Sequence, residues 1–111
     1  MSIDLERKTI QNEKYYRHVI QTTKQMQLVL MNILPLGDIK KEVHPHTTQF
    51  IRVESGYGYA IVDGKRSSLS DGRAIIIPPG SEHYIKAGKK GMKLYTIYSP
   101  PEHKENEQKL N

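Results

Sequence analysis

GRAIIIPPGSEHYIKA, residues 72–87, is the stretch that decides how this chain folds. Gly72 ends a tight turn, and the β-branched run that follows is short and apolar enough to be a buried strand. Pro78, Pro79 and Gly80 stop that strand and reverse the chain, because proline donates no ladder hydrogen bond and glycine accepts turn geometry. The reversal presents His83 at the head of the next apolar segment, HYIKA. An imidazole is thereby held at the start of a strand.

Strand signals recur on both sides of this stretch. QLVLMNIL (27–34) is apolar and β-branched enough for a buried strand. QFIRVES (49–55) alternates Gln49, Ile51 and Val53 on one face with Phe50, Arg52 and Glu54 on the other. YGYAIVDGK (57–65) follows, and Asp63-Gly64 is a strong hairpin-turn signal. SSLSDGR (67–73) reads as a polar turn. HYIKA and the closing run MKLYTIYSPP (92–101) read as two strands separated by a turn at GKKG (88–91). Short strands punctuated by turns in this way give an all-β sandwich or barrel. Residues 10–18, IQNEKYYRH, read as a short helix or an irregular lead-in, and PPEHKENEQKLN from Pro100 onward reads as a frayed tail. The expected division is a lead-in with a first strand over 1–24, a barrel over 25–99 and a polar tail over 100–111.

Composition narrows the function classes. A chain of 111 residues suffices for one core. With no cysteine, disulfides and thiolate metal sites are excluded. The net charge of +5 comes from lysines and arginines scattered singly and in pairs, such as Lys40–Lys41 and Lys89–Lys90. No basic helix is visible, and Phe50 is the one phenylalanine, so a nucleic-acid partner is not expected. The first residues carry no apolar signal core, and LVLMNILPL is too short to span a bilayer. The expectation is a cytoplasmic protein without a membrane partner.

A second histidine-bearing segment, EVHPHTTQFIRVESG (42–56), lies upstream. The pair of segments resembles the two motifs of the cupin superfamily. In the second motif, G(X)5PxG(X)2H(X)3N, the matching positions are Gly72, Pro78, Gly80 and His83, with Ala87 in place of the asparagine. The first motif has the form G(X)5HxH(X)3,4E(X)6G. Anchored at Gly56, it puts Gln49 in the glutamate position, His44 in the second histidine position and Glu42 in the first. His46 then falls in the spacer. The alternative, with His44 and His46 as the histidine pair, leaves a shorter spacer before Gln49 than the motif has. The resemblance therefore implies Glu42, His44, Gln49 and His83 as metal ligands, with His46 as the alternative ligand.

Strand geometry agrees with the first alignment, since Glu42 and His44 are two apart and share a face. Two imidazoles, one carboxylate and one amide oxygen suit one divalent ion, Zn, Mn, Fe, Ni or Co. A single protein negative charge leaves such an ion electrophilic. Against this, Glu42 also reads as a solvated charge beside Lys40 and Lys41, and Gln49 as a buried amide orienting a ligand. His18 and His103 read as surface or hydrogen-bonding residues.

The likeness extends over most of the chain. QTTKQMQLVLMNILPLGDIKKEVH, QFIRVESGYG and MKLYTIYSPPEH look like the small single-domain cupins called mannose-6-phosphate isomerase-like. That group usually has Asp where His46 stands, and a Gly- and His-containing tail where this chain has KENEQKLN. The resemblance implies a cupin double-stranded β-helix, a jelly-roll barrel in a single domain. It also implies a metal centre that binds or transforms a small polar metabolite, with sugar or sugar-phosphate isomerase-like chemistry through a metal-stabilised enediolate. Two other functions fit the same ligands: a non-haem Fe(II) dioxygenase and a non-catalytic, metal-dependent small-molecule binding module. The general base stays open, with His46, Tyr57 and Tyr59 as weak candidates; Glu54 and Glu82 have the wrong strand parity relative to Gln49 and His83. Sandwich edges need cover, and small cupins commonly pair sheets, so a homodimer is expected.

Overall fold

In the computed structural model, which describes residues 2–111, a short helix leads into a series of antiparallel strands. Helix α1 spans Leu5–Gln11, and the strands are β1 Tyr15–Thr22, β2 Gln27–Ile33, β3 Asp38–Glu42 and β4 Thr48–Val62. They continue with β5 Lys65–Ser70, β6 Ala74–Ile77, β7 His83–Ser99 and β8 Gln108–Leu110. No described helix is long and apolar enough to cross a membrane.

Two long strands organise the rest. The first part of β4 pairs with β6 and the second with β5, while β7 accompanies β4 along its length. On its other side, β7 pairs first with β3 and then with β2. The sheet continues from β2 through β1 to β8. Partners change where the β4–β7 register shifts, around Val53–Ser55 and Gly56–Gly58. The spine thus bends from one face of the jelly roll to the other, as the expected all-β architecture requires.

Gly56 makes that bend sterically feasible. Its φ is +98°, and a Cβ there would stand 2.1 Å from the carbonyl oxygen of Gly91. Neither the dihedral nor the contact admits a side chain.

Around the bend the inward residues form one core, to which Val29, Met31, Ile51, Val53, Ile77, Ile85 and Leu94 each contribute with at most 1% of their surface exposed. Each such side chain stabilises the fold by about 1.5–3 kcal/mol relative to an exposed position. Gln49, Ile51 and Val53 are buried while Phe50, Arg52 and Glu54 are less so, as the alternation requires.

The local expectations need four corrections. The helix lies at residues 5–11 rather than within 10–18, because Asp4 caps it by accepting from the backbone N–H of Arg7 at 3.2 Å. Residues 15–22, rich in aromatic and β-branched side chains, form β1. Ser67–Ser70 belong to β5 rather than to a polar turn, which is confined to Asp71 and Gly72. GKKG does not separate two strands, since β7 runs through it with Gly91 in the left-handed region.

The tail is the fourth correction, for it is not frayed. Gln27 is fully buried, and its Oε1 accepts from the backbone N–H groups of Glu102 and His103 at 3.2 and 2.9 Å. Its Nε2 donates to the His103 carbonyl at 2.7 Å. Beyond this anchor, β8 pairs with β1, and Arg17 meets Glu107 at 3.0 Å.

Candidate metal centre

Strand pairing brings the two histidine-bearing segments together. Glu42, the last residue of β3, is the direct cross-strand partner of His83, the first residue of β7. His44 follows in the β3–β4 loop, whose position is fixed when the Gly80 N–H donates to the His44 carbonyl at 2.9 Å. The Pro78–Gly80 turn thus orients one histidine through the chain and the other through a hydrogen bond. Gln49 lies opposite Tyr98 on the β4–β7 ladder.

Glu42, His44 and His83 each offer one ligand atom, all within 4.8 Å of one another, a spacing that could hold a metal ion. Glu42 Oε1 lies 3.2 Å from His44 Nε2 and 3.4 Å from His83 Nε2. The imidazole centroids are 5.1 Å apart. These contacts are close enough for attraction, yet both Nε2 atoms are buried without a directed hydrogen bond. The same holds for Oε1 of Gln49, a residue 1% exposed, whose Nε2 donates to Thr96 Oγ1 at 3.1 Å and Tyr98 Oη at 3.3 Å.

Two buried imidazole nitrogens gathered around one carboxylate, with no better-directed partner, make a group that could hold a cation. Two imidazole nitrogens and a carboxylate are a donor set that fits a divalent ion.

The outer nitrogen of each ring is already engaged. His83 Nδ1 donates to the Ser81 carbonyl at 3.0 Å, and His44 Nδ1 faces Glu102 Oε2 at 3.4 Å. Both partners favour a proton on Nδ1, which leaves each Nε2 lone pair for a metal. Burial raises the Glu42 carboxyl, but the contacts with His44 and His83 outweigh it and hold its pKa at about 2. The Glu42 contact, opposed by burial, raises His44 above its ordinary value. Burial pushes the Tyr98 hydroxyl well above the usual phenol range.

Of the remaining sequence candidates, His46 is exposed and stands outside the Glu42–His44–His83 group. Tyr57 is exposed, and its hydroxyl accepts from the Lys89 N–H. Tyr59 stacks under the Arg66 guanidinium, 3.8 Å from its ring, with Tyr84 beside it. Glu54 and Glu82 stand outside the Glu42–His44–His83 group too and pair with Arg52 and Lys41 respectively. His18 contacts Gln108, and His103 packs edge-on to Tyr98. Sequence reasoning missed Glu102, although PPEH was in view, because the tail carries no strand pattern. It also missed Gln27, whose signal was a polar head on an otherwise apolar strand.

Comparison with known proteins gives this arrangement a context. A family described as Cupin domain matches residues 29–98. The uncharacterised protein L612 of Acanthamoeba polyphaga mimivirus is 41% identical over 106 residues. Uncharacterised YrkC of Bacillus subtilis is 35% identical over 108 residues. The alignments cover 91% of this chain in each case, but only 66% and 58% of those two relatives. The crystal structure of BH2720 from Bacillus halodurans superposes with a TM-score of 0.95 at 32% identity, over 98% of this chain and 87% of that one.

Proposed function

This chain belongs to the cupin family, and from that premise we propose a metal-binding small cupin that binds or transforms a small polar metabolite. The chemistry proposed is that of the mannose-6-phosphate isomerase-like group, isomerisation of a sugar or sugar phosphate. The supporting observation is the group of Glu42, His44 and His83, whose ligand atoms all lie within 4.8 Å of one another. A bound divalent ion supplies a Lewis acid that polarises a substrate oxygen.

The chain's own residues set the terms of that chemistry. Glu42 keeps one negative charge in the site down to low pH. Ser81 and Glu102 hold the protons of the two imidazoles on the side away from the site. Tyr98 and Thr96 fix the Gln49 amide so that its oxygen is the free atom.

Metal analysis of protein purified without chelator tests this reading. About one equivalent of zinc, manganese, iron, nickel or cobalt is expected, lost in a His44→Ala/His83→Ala double variant. A metal-free wild type, or full metal in the double variant, sinks it. Solvent-deuterium incorporation into sugar phosphates then tests the isomerase step. Failure there with metal present favours the second reading, a non-catalytic binding module. That reading has an observation of its own: of the three weak base candidates, His46 is exposed, the Tyr57 hydroxyl is taken by the Lys89 N–H and the Tyr59 ring is covered by Arg66. The working form is a cytoplasmic homodimer, since the sheet path ends at β5 and β8, edges that a second copy would cover.

A further inference from the structure

A cavity of about 460 Å³ opens beside Glu42, between β1, β3 and β8. Four cationic side chains, Arg17, Lys40, Lys41 and Lys109, line it. Its two acidic side chains are Asp38 and Glu42. Asp38 is engaged, accepting from the Tyr84 hydroxyl at 2.9 Å. Glu42 is turned to the two histidines. Lys41 lies 3.6 Å from Glu82, an exposed pair that screening weakens. The cavity therefore has an excess of positive charge at the edge of the candidate metal centre.

The β1–β8 register sharpens this. Arg17 and Lys109 are direct cross-strand partners, a placement at which like charges repel. Both cations also lie 5.5 Å from the centre of the same ring, that of Tyr16. One aromatic ring thus lies within cation–π range of both. Arg17 has a carboxylate on one side only, at Glu107, and Lys109 makes no ion pair among the described residues. A repulsive pair retained at a cavity mouth is what a bound anion would relieve.

We propose that this cavity is an anion subsite, in which Arg17 and Lys109 grip an anionic oxygen group of the metabolite while its reacting end meets the metal. The shared chemistry is a carboxylate or phosphate, both of which match the guanidinium fork. The proposal rests on the metal-centre reading for its orientation, but the subsite itself depends only on the cations.

Calorimetric titration at constant ionic strength separates the two. Inorganic phosphate and malonate serve as probes, against metal-free and Mn²⁺-loaded protein. Wild type should bind an anion in both states, more tightly with metal present. Lys109→Met should weaken that binding about tenfold while leaving Mn²⁺ affinity unchanged. Arg17→Gln should do the same, but Lys109→Met is the cleaner variant because Arg17 also holds Glu107. Preference for phosphate marks a phosphorylated substrate, and preference for malonate a hydroxy or keto acid. Anion binding that needs Mn²⁺ and ignores Lys109→Met overturns the subsite and spares the metal centre. Anion binding without any Mn²⁺ affinity, weakened in Lys109→Met, supports the subsite and strikes manganese from the ions proposed for the centre.

Discussion

The carboxylate of Glu102 lies 3.4 Å from Nδ1 of His44, on the opposite side of the ring from Glu42. A tail residue thus sets the tautomer of a residue that faces the candidate metal. Carboxylates behind metal-bound histidines raise ligand basicity and fix ring orientation, and removing one costs about 10–100-fold in affinity. Glu102→Gln is predicted to weaken divalent-metal binding by roughly tenfold, with an unchanged circular dichroism spectrum. Equal metal affinity in the variant and wild type, measured by competition with a chelating dye, would remove Glu102 from the site.

In the metal-free protein, the joint contribution of Glu42 and His44 to stability should be largest between about pH 4.5 and 6.5. The folded pKa of Glu42 is held at about 2 against an ordinary 4.5, so its contribution is present above 4.5 and lost as pH falls toward 2. The folded value of His44 is raised above 6.5, so its contribution is present below 6.5 and lost as pH climbs through the raised value. A metal needs the neutral imidazole, so affinity should rise over that same upper range, with proton release. Thermal melts across pH, with chelator and with saturating Zn²⁺, check both limbs. A chelated His44→Gln protein that keeps the alkaline limb would show that another group causes it.

Gln27→Ala should destabilise the fold by about 2 kcal/mol, because it orphans backbone groups of Glu102 and His103 at once. In a chain this size that is roughly 10 °C in Tm. Releasing the tail should also lower metal affinity, through loss of Glu102. A Gln27→Ala protein with wild-type metal affinity would uncouple the anchor from the centre.

Two glycines separate close approach from backbone conformation. Gly56→Ala places a methyl 2.1 Å from the Gly91 carbonyl and should cost about 3 kcal/mol or more. Gly64 has a φ of +80° but nothing within 4 Å, so Gly64→Ala should cost about 1 kcal/mol. Chemical denaturation measures both, and equal losses would refute the steric account of the β4–β7 bend.

The strands were legible wherever period-two alternation and turn residues coincide, as in Gln49–Val53 and Asp63-Gly64. Glu42, His44 and His83 were legible because strand parity and the motif spacing agree on them. Gln49 Oε1 could be named, but not its lack of a donor, which depends on where Thr96 and Tyr98 fall on another strand. The tail was illegible for a different reason. Residues 100–111 have almost no apolar pattern, and their order comes from Gln27 and Arg17, more than seventy positions away in the chain. The GKKG bend failed similarly, since turn-rich composition looks alike whether a strand ends or only changes partners.

The pairing of β1 with β8 has a consequence for the order of folding. The β4–β7 spine, with β3 beside it, brings Glu42, His44 and His83 together without the tail. Arg17 meets Glu107 across 90 positions, and His44 meets Glu102 across the whole of the spine, so both contacts close long loops. A partly folded chain with its tail undocked would carry the two histidines without the carboxylate that orients one of them. The candidate centre would then be assembled in outline before it is tuned.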